Sequence, residues 1–218
     1  MKGKFLRILK LILSDRTFKY INFYLSKNKF KDFFDFPFDT QLKMPMEASN
    51  TLIEGVSILE KLGLTFRLTD GTALGLYRNG KFISHDHDID VEILVGSPQD
   101  VTLIKKMFRK HKYKIGRIVV FDGKIQQLIF YNKHQVIFDI PVWYPKGDKI
   151  YNYPEDGYIR TQKLEYFEIL DKIEFKGHVY PIPGNIRDWL AMRYVTDWKI
   201  PKKYNNHWIF DCGDIEKI

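Results

Sequence analysis

Apolar residues along this chain switch repeatedly between a helical and a strand period. Leu52, Val56, Leu59 and Leu62 recur at helical spacing and predict a helix over 46–62, with Gly63 as its left-handed C-terminal cap. Leu64, Phe66 and Leu68 then alternate, which predicts a strand over 64–69. Gly71-Thr72 opens a short helix through Tyr77 that stops at Asn79-Gly80. Alternation returns over 88–95, with Ile89, Val91, Ile93 and Val95 on one face and Asp88, Asp90 and Glu92 on the other. Ser97-Pro98-Gln99-Asp100 is a helix start: serine caps, proline takes the first position and Asp100 sits beside free N–H groups. That helix runs to about Lys112, and strands follow near 115–121, 125–131 and 135–142, the first two joined by an Asp122-Gly123 turn. Lys176-Gly177 marks a hairpin within 174–179. Asn185 is expected to cap a helix holding Ile186, Trp189, Leu190 and Tyr194, with Asp188 at its third position. This order indicates an α+β domain, a mixed central sheet flanked by helices.

Charge divides the chain. The net charge is +8, and residues 1–31 hold nine lysines and arginines against the single acid Asp15. The rest is therefore neutral, which predicts a basic N-terminal arm over 1–40 and a catalytic domain over 41–218. A neutral body lacks the basic stripe that phosphate tracking needs, so no nucleic-acid partner is expected. In the arm, Phe5, Leu6, Ile8, Leu9, Leu11, Ile12 and Leu13 interleave with the cations. No uncharged run is long enough for a bilayer span, and Arg7 and Lys10 break any signal-peptide core. The arm suits either an anionic membrane surface or a helix docked on the domain. Phe33, Phe34, Phe36, Pro37 and Phe38 form an aromatic joint expected to pack on the body. Hydrophobic residues at 44% and aromatics at 16% exclude a disordered chain, and one cysteine, Cys212, excludes an internal disulfide or a multi-cysteine zinc site.

The candidate chemistry lies in His85-Asp86-His87-Asp88-Ile89-Asp90. Two residues apart on a strand, Asp88 and Asp90 point the same way, with roughly 7 Å of backbone between them. Like charges so placed need water or a bridging cation, and oxygen-only ligands suit Mg²⁺ or Mn²⁺. Asp86 adds a third acid, and His85 and His87 are further candidates for metal or phosphate contact. Asp139 stands alone in the apolar run Val136-Ile137-Phe138-Asp139-Ile140, where an unpartnered carboxylate is costly and a shared metal would satisfy it. Gly71-Thr72 lets backbone N–H groups and a hydroxyl approach a phosphate.

Gly71-Thr72, then Asp88-Ile89-Asp90-Val91, then Phe138-Asp139-Ile140 resembles the three-part signature of the nucleotidyltransferase superfamily. The stretch from Thr69 to Val91 resembles more narrowly the LicD/fukutin family, whose G-[ST]-x-L-G-x-x-R-x-G-x-x-[IL] segment runs into clustered aspartates. Trp189-Leu190-Ala191-Met192-Arg193-Tyr194, followed by Asp197-Trp198-Lys199-Ile200-Pro201, is similar to the family's terminal segment, and the resemblance spans about 46–205. His85 stands where the family often has tryptophan, and His87 interrupts the acid run.

The resemblance implies a nucleotidyltransferase (polymerase-beta-like) fold. It also implies metal-dependent transfer of phosphocholine or an alditol phosphate from a CDP-linked donor to a hydroxyl of a glycan or glycolipid acceptor. Asp88, Asp90 and Asp139 are then the catalytic, Mg²⁺- or Mn²⁺-holding residues, with Asp86 as an additional ligand. Gly71, Thr72, Arg78, Arg193 and Lys199 are expected to bind substrate phosphates, with Asp197 beside them. A lipid-linked acceptor would place the enzyme in the cytoplasm, peripheral on the inner face of the membrane. Two rivals keep the fold: transfer of a nucleoside monophosphate to a protein or small molecule, and a catalytically inactive binding relative.

Overall fold

The structure, a computed structural model, describes residues 10, 13–40, 43–194, 198–201 and 208–218. In chain order the elements are α1 (Asp15–Leu25), β1 (Phe30–Phe34), α2 (Ala48–Lys61), β2 (Thr65–Leu68), α3 (Asp70–Asn79), β3 (Asp88–Leu94), α4 (Pro98–Lys110), β4 (Lys114–Phe121), β5 (Lys124–Tyr131) and β6 (Ile137–Lys146). They continue with β7 (Lys149–Asn152), β8 (Tyr158–Lys163), α5 (Glu165–Glu168), β9 (Asp171–Phe175), β10 (His178–Ile182), α6 (Ile186–Arg193), a 3₁₀ turn at Trp208–Asp211 and β11 (Ile215–Lys217).

Among the described residues nine strands form one mixed sheet, in which β1, β4, β5 and β6 lie side by side and antiparallel. At β6 the sheet forks. Its first part pairs in parallel with β3, which pairs antiparallel with β2, and its end pairs with β7, followed by β8 and β11. β9 and β10 form a separate hairpin. Strand β6 runs through Pro141 to Lys146, beyond the expected end near 142, because proline's fixed φ fits an extended strand.

Alternation sorts the central strands into two faces. Phe130, Phe138, Ile140, Ile89 and Val91 are buried. Phe108 of α4 stacks on Phe130 at 4.4 Å and tilts against Phe138 at 5.4 Å. Gly55 of α2 lies so close to the Phe138 ring that an added Cβ would stand 2.3 Å from it. Helices α2 and α4 therefore cover this face. The opposite face carries Asp88, Asp90 and Asp139.

Local chemistry explains most boundaries. Gly63 and Gly80 take left-handed φ values of 65° and 64° at the ends of α2 and α3. Asp100 accepts from the Gly96 and Ser97 amides at 2.9 Å, which ties down the start of α4. Asp122-Gly123 and Lys176-Gly177 both have positive φ, as two-residue hairpin turns require. The start of α6 differs from the expectation. Asn185 is left-handed, caps no backbone N–H and donates to the Asp188 carboxylate, while the Ile186 amide donates to Asp171 of β9 at 3.0 Å. Tyr194 follows this helix rather than belonging to it, though it is buried.

Part of the basic segment lies against the sheet. β1 extends the sheet at β4, Phe33 is buried, and Arg16 donates to Asp35 and to the Ile115 carbonyl, each at 2.6 Å. Phe36 of the aromatic joint covers Gly116, where a Cβ would stand 2.1 Å from the ring. The apolar positions Phe5 to Ile12 lie outside the described residues. Among the described residues no helix is long and apolar enough to cross a membrane.

The contact of Gly55 with Phe138 yields a test. Alanine in a helix interior is worth up to about 1 kcal/mol over glycine, whereas overpacking a filled core costs about 1–3 kcal/mol. Gly55→Ala is expected to lower stability in urea unfolding. A variant as stable as the unmodified chain, or more so, would show that the ring yields freely.

Candidate active site

Pairing register assembles the acids. In the parallel ladder Asp90 of β3 is the direct partner of Asp139 of β6, so both side chains leave the sheet on the same face. Asp88 joins them from two residues earlier. Asp88, Asp90 and Asp139 each offer an oxygen within 4.8 Å of the others'. Asp86, His87 and Asp88 form a second such group, which shares Asp88 with the first.

Each carboxylate is held differently. The Thr72 amide donates to Asp90 Oδ2 at 3.1 Å, the Thr72 hydroxyl donates to the same oxygen at 3.4 Å, and the Asp90 amide donates back to that hydroxyl at 2.9 Å. Gln127 Nε2 donates to Asp139 Oδ2 at 2.7 Å. Among the described residues, Asp139 Oδ1 is buried and has no hydrogen-bond partner. Asp86 Oδ1 accepts from the His87 amide at 3.0 Å. Among the described residues, no lysine or arginine hydrogen-bonds Asp86, Asp88, Asp90 or Asp139.

The electrostatics follow. Burial, then repulsion from neighbouring carboxylates, pushes Asp88 and Asp90 well above the usual range. Burial raises Asp139 to about 7, against the opposing pull of Gln127 and Arg117. Burial also raises Asp86, with hydrogen bonds from Asp88 and the His87 amide acting the other way. A group of oxygens that resists ionisation and includes one unpartnered buried atom fits a hard divalent cation.

The expected phosphate-binding residues divide. A Cβ on Gly71 would stand 2.2 Å from Asp86 Oδ2, so glycine here makes room for the protein's own carboxylate. Thr72 is fully buried and its hydroxyl is engaged by Asp90, which makes it an orienting group rather than an exposed phosphate contact. Arg78 donates to Asn79 at 2.8 Å and to the Trp198 carbonyl at 2.9 Å and so ties α3 to the later segment. Arg193 is only 4% exposed and is ion-paired with Asp70 and Asp214, so it faces the interior instead of an open phosphate site. Lys199 is exposed, with its ammonium 5.8 Å from the Trp198 ring centre. His85 is exposed, and Asp197 lies outside the described residues.

Five residues without an expected role make polar contacts in this region. Gln127 orients Asp139. Arg67 pairs with Glu92 at 2.5 Å, fully buried two residues along β3 from Asp90. Arg160 and Asp214 pair at 2.9 Å beneath Asp70. Arg67 and Glu92 occupy polar positions of alternating strands, a signal visible in the sequence. Arg160 and Asp214 lie where no periodicity marks an element.

These raised carboxyls set a pH dependence. Unfolded, Asp139 ionises near the ordinary aspartate value of 3.8, and folded it holds its proton to about 7. Between those values the native state binds more protons, so stability falls as pH rises and the full penalty is present above about 7. The metal-free protein should melt lower at pH 8 than at pH 5. Mn²⁺ should raise the melting temperature more at pH 8, because it competes with protons for the same oxygens. Equal Mn²⁺ gains at both pH values would contradict this assignment.

Comparison with known proteins bears on the same stretch. Residues 63–185 match the family model described as LicD/FKTN/FKRP, nucleotidyltransferase domain. The chain is 27% identical over 167 residues to Ribitol-5-phosphate transferase FKTN of Mus musculus, covering 72% of this chain and 34% of that protein. It is 27% identical over 172 residues to the Homo sapiens protein of the same name, with the same coverage. The chain thus spans about a third of the length of these curated relatives. A solved structure, the lincosamide antibiotic adenylyltransferase LnuA with lincomycin bound, aligns with a TM-score of 0.47 and 13% identity over 68% of this chain and 86% of that one. The family model covers more than half of the chain and holds the Gly71-Thr72 turn and all four clustered acids, so this chain belongs to the LicD/FKTN/FKRP nucleotidyltransferase-domain family.

Proposed function

We propose that this chain is a divalent-cation-dependent transferase. In this reading it moves a phosphorylated small alcohol, of the alditol-phosphate or phosphocholine type, from a CDP-linked donor to a hydroxyl of a glycan or glycolipid. One observation carries the reading: three carboxylates from two strands converge with no lysine or arginine hydrogen-bonded to them among the described residues, and one of their oxygens, Asp139 Oδ1, is buried and has no hydrogen-bond partner there. Family membership and the relatives named ribitol-5-phosphate transferase support a phosphorylated alcohol as the cargo.

Asp88, Asp90 and Asp139 would hold Mg²⁺ or Mn²⁺, with Asp86 beside them. When bound, such a cation neutralises phosphate charge and aligns the donor. The chain's own residues do the rest. Thr72 fixes the rotamer of Asp90, Gln127 fixes that of Asp139, and Gly71 keeps the start of α3 close enough for Asp86 to reach the group. Phosphoryl transfer needs positioning and charge stabilisation more than a covalent nucleophile, and no side chain here is required to form a covalent bond.

Product analysis tests this reading. With Mn²⁺ and a glycan acceptor, CDP-ribitol, CDP-glycerol or CDP-choline should release CMP and yield a phosphodiester-linked product. Asp88→Asn and Asp139→Asn should each cut turnover about 100-fold or more, the scale of losing a metal's charge stabilisation. Labelling of an acceptor by nucleoside triphosphates, with CDP-linked donors inert, would establish nucleotidyl transfer instead. Absence of any Mn²⁺ or nucleotide binding in calorimetry would establish an inactive relative.

A further inference from the structure

Beside the acid cluster lies a second polar cluster of the opposite kind. Arg67, Arg160 and Arg193 face Asp70, Glu92 and Asp214, three cations against three anions, all buried except Asp70, which is 16% exposed. Four of them close a ring. Arg160 reaches the two oxygens of Asp70 at 3.3 and 3.4 Å and donates through Nε to Asp214 Oδ2 at 3.0 Å. Arg193 donates through Nε to Asp70 Oδ1, and its Nη1 faces Asp214 Oδ1 at 3.5 Å, an ion pair without a hydrogen bond among the described residues. Gln162 links the ring to the other pair, donating to Asp214 at 2.7 Å and accepting from Arg67 at 2.8 Å.

Stability alone gives no reason for such a ring. Desolvating so many charges offsets most of their attraction, and apolar residues of equal volume commonly serve as well. What a ring of charges supplies is geometry. Asp70 has φ of 42°, a left-handed conformation unfavourable for a residue with a side chain. Burial would raise its pKa, but Arg160 and Arg193 outweigh that and hold it at about 2. It is therefore an anion clamped from two sides. The next two residues are Gly71, packed against Asp86, and Thr72, whose amide and hydroxyl hold Asp90.

We infer that Asp70, Arg160, Asp214 and Arg193 are positioning residues: the ring fixes residue 70 in its left-handed conformation, thereby the Gly71-Thr72 turn, and through Thr72 the carboxylate of Asp90. The segment before β11 thus supports the site although it lies beyond the matched residues 63–185. It is fastened there by the Gly213 amide, which donates to the Arg193 carbonyl at 3.0 Å, and by the bridge between Tyr194 and Cys212. Only the consequence for metal affinity rests on the proposed function.

Site-resolved amide exchange combined with Mn²⁺ titration tests this on the full chain. The variants are Asp70→Asn and Asp214→Asn, with Ile104→Val in α4 as a core control of matched melting temperature. In both ring variants the Thr72 and Asp90 amides should exchange at least about tenfold faster while those of α2 keep their protection. Mn²⁺ affinity should fall about tenfold, the lower end for loss of an outer-shell partner. Ile104→Val should show neither selective effect. If Asp70→Asn does not fold, Asp214→Asn, one arginine further away, decides alone. Thr72 protection that is unchanged, or that falls only in step with α2, overturns the inference. If the unmodified chain binds no Mn²⁺ yet Thr72 exchange accelerates selectively in the variants, the cation reading fails and the positioning role stands.

Discussion

Everything in this site depends on the register of one parallel strand pair. Asp90 of β3 lies directly opposite Asp139 of β6, and in-register residues of a parallel ladder share a face. A slip of one residue would send Asp139 to the side covered by α2 and α4 and bring Phe138 out in its place. The aromatic packing of Phe138 against Phe108 and Gly55 opposes that slip. The hydrophobic core on one face thus fixes the charge geometry on the other.

That geometry is unfavourable by itself. Four acids crowd together with no basic side chain hydrogen-bonded to them among the described residues, and burial drives their proton affinities up. Asp70, beside the same turn, is also largely removed from water yet strongly acidic, because two arginines clamp it. Acids of the same type therefore sit in two environments, one ion-paired with arginines and one with no lysine or arginine hydrogen-bonded to it among the described residues. The ion-paired cluster suits the positioning role inferred for it, and the crowded acids suit the cation-holding role proposed for them.

Much of this was legible in the sequence, for physical reasons. The period-two pattern of 88–95 identified β3 and the shared face of Asp88 and Asp90, and the apolar run around Asp139 identified β6. Glycine and serine-proline signals located the ends of α2, α3 and α4. Pairing partners were not legible, since they depend on contacts between residues distant in the chain. For that reason Phe30–Phe34 read as part of an arm and joint, yet it is an edge strand on β4. Arg193 read as a phosphate ligand because a lone arginine gives no sign of whether a buried acid awaits it, and here Asp70 and Asp214 do. Thr72 read as a phosphate contact for the same reason. Its hydroxyl meets Asp90 only once β3 lies beside α3. Strands β7, β8 and β11 carry too little alternation to be marked in advance.

The central claim is that Asp88, Asp90 and Asp139 are co-ligands of one divalent cation. A crystal of the protein soaked in Mn²⁺, measured for anomalous scattering at the manganese edge, tests it most directly. The expected result is a peak in contact with an oxygen of each of the three, including Asp139 Oδ1. A manganese peak elsewhere, or none at the site under saturating Mn²⁺ and nucleotide, would contradict it.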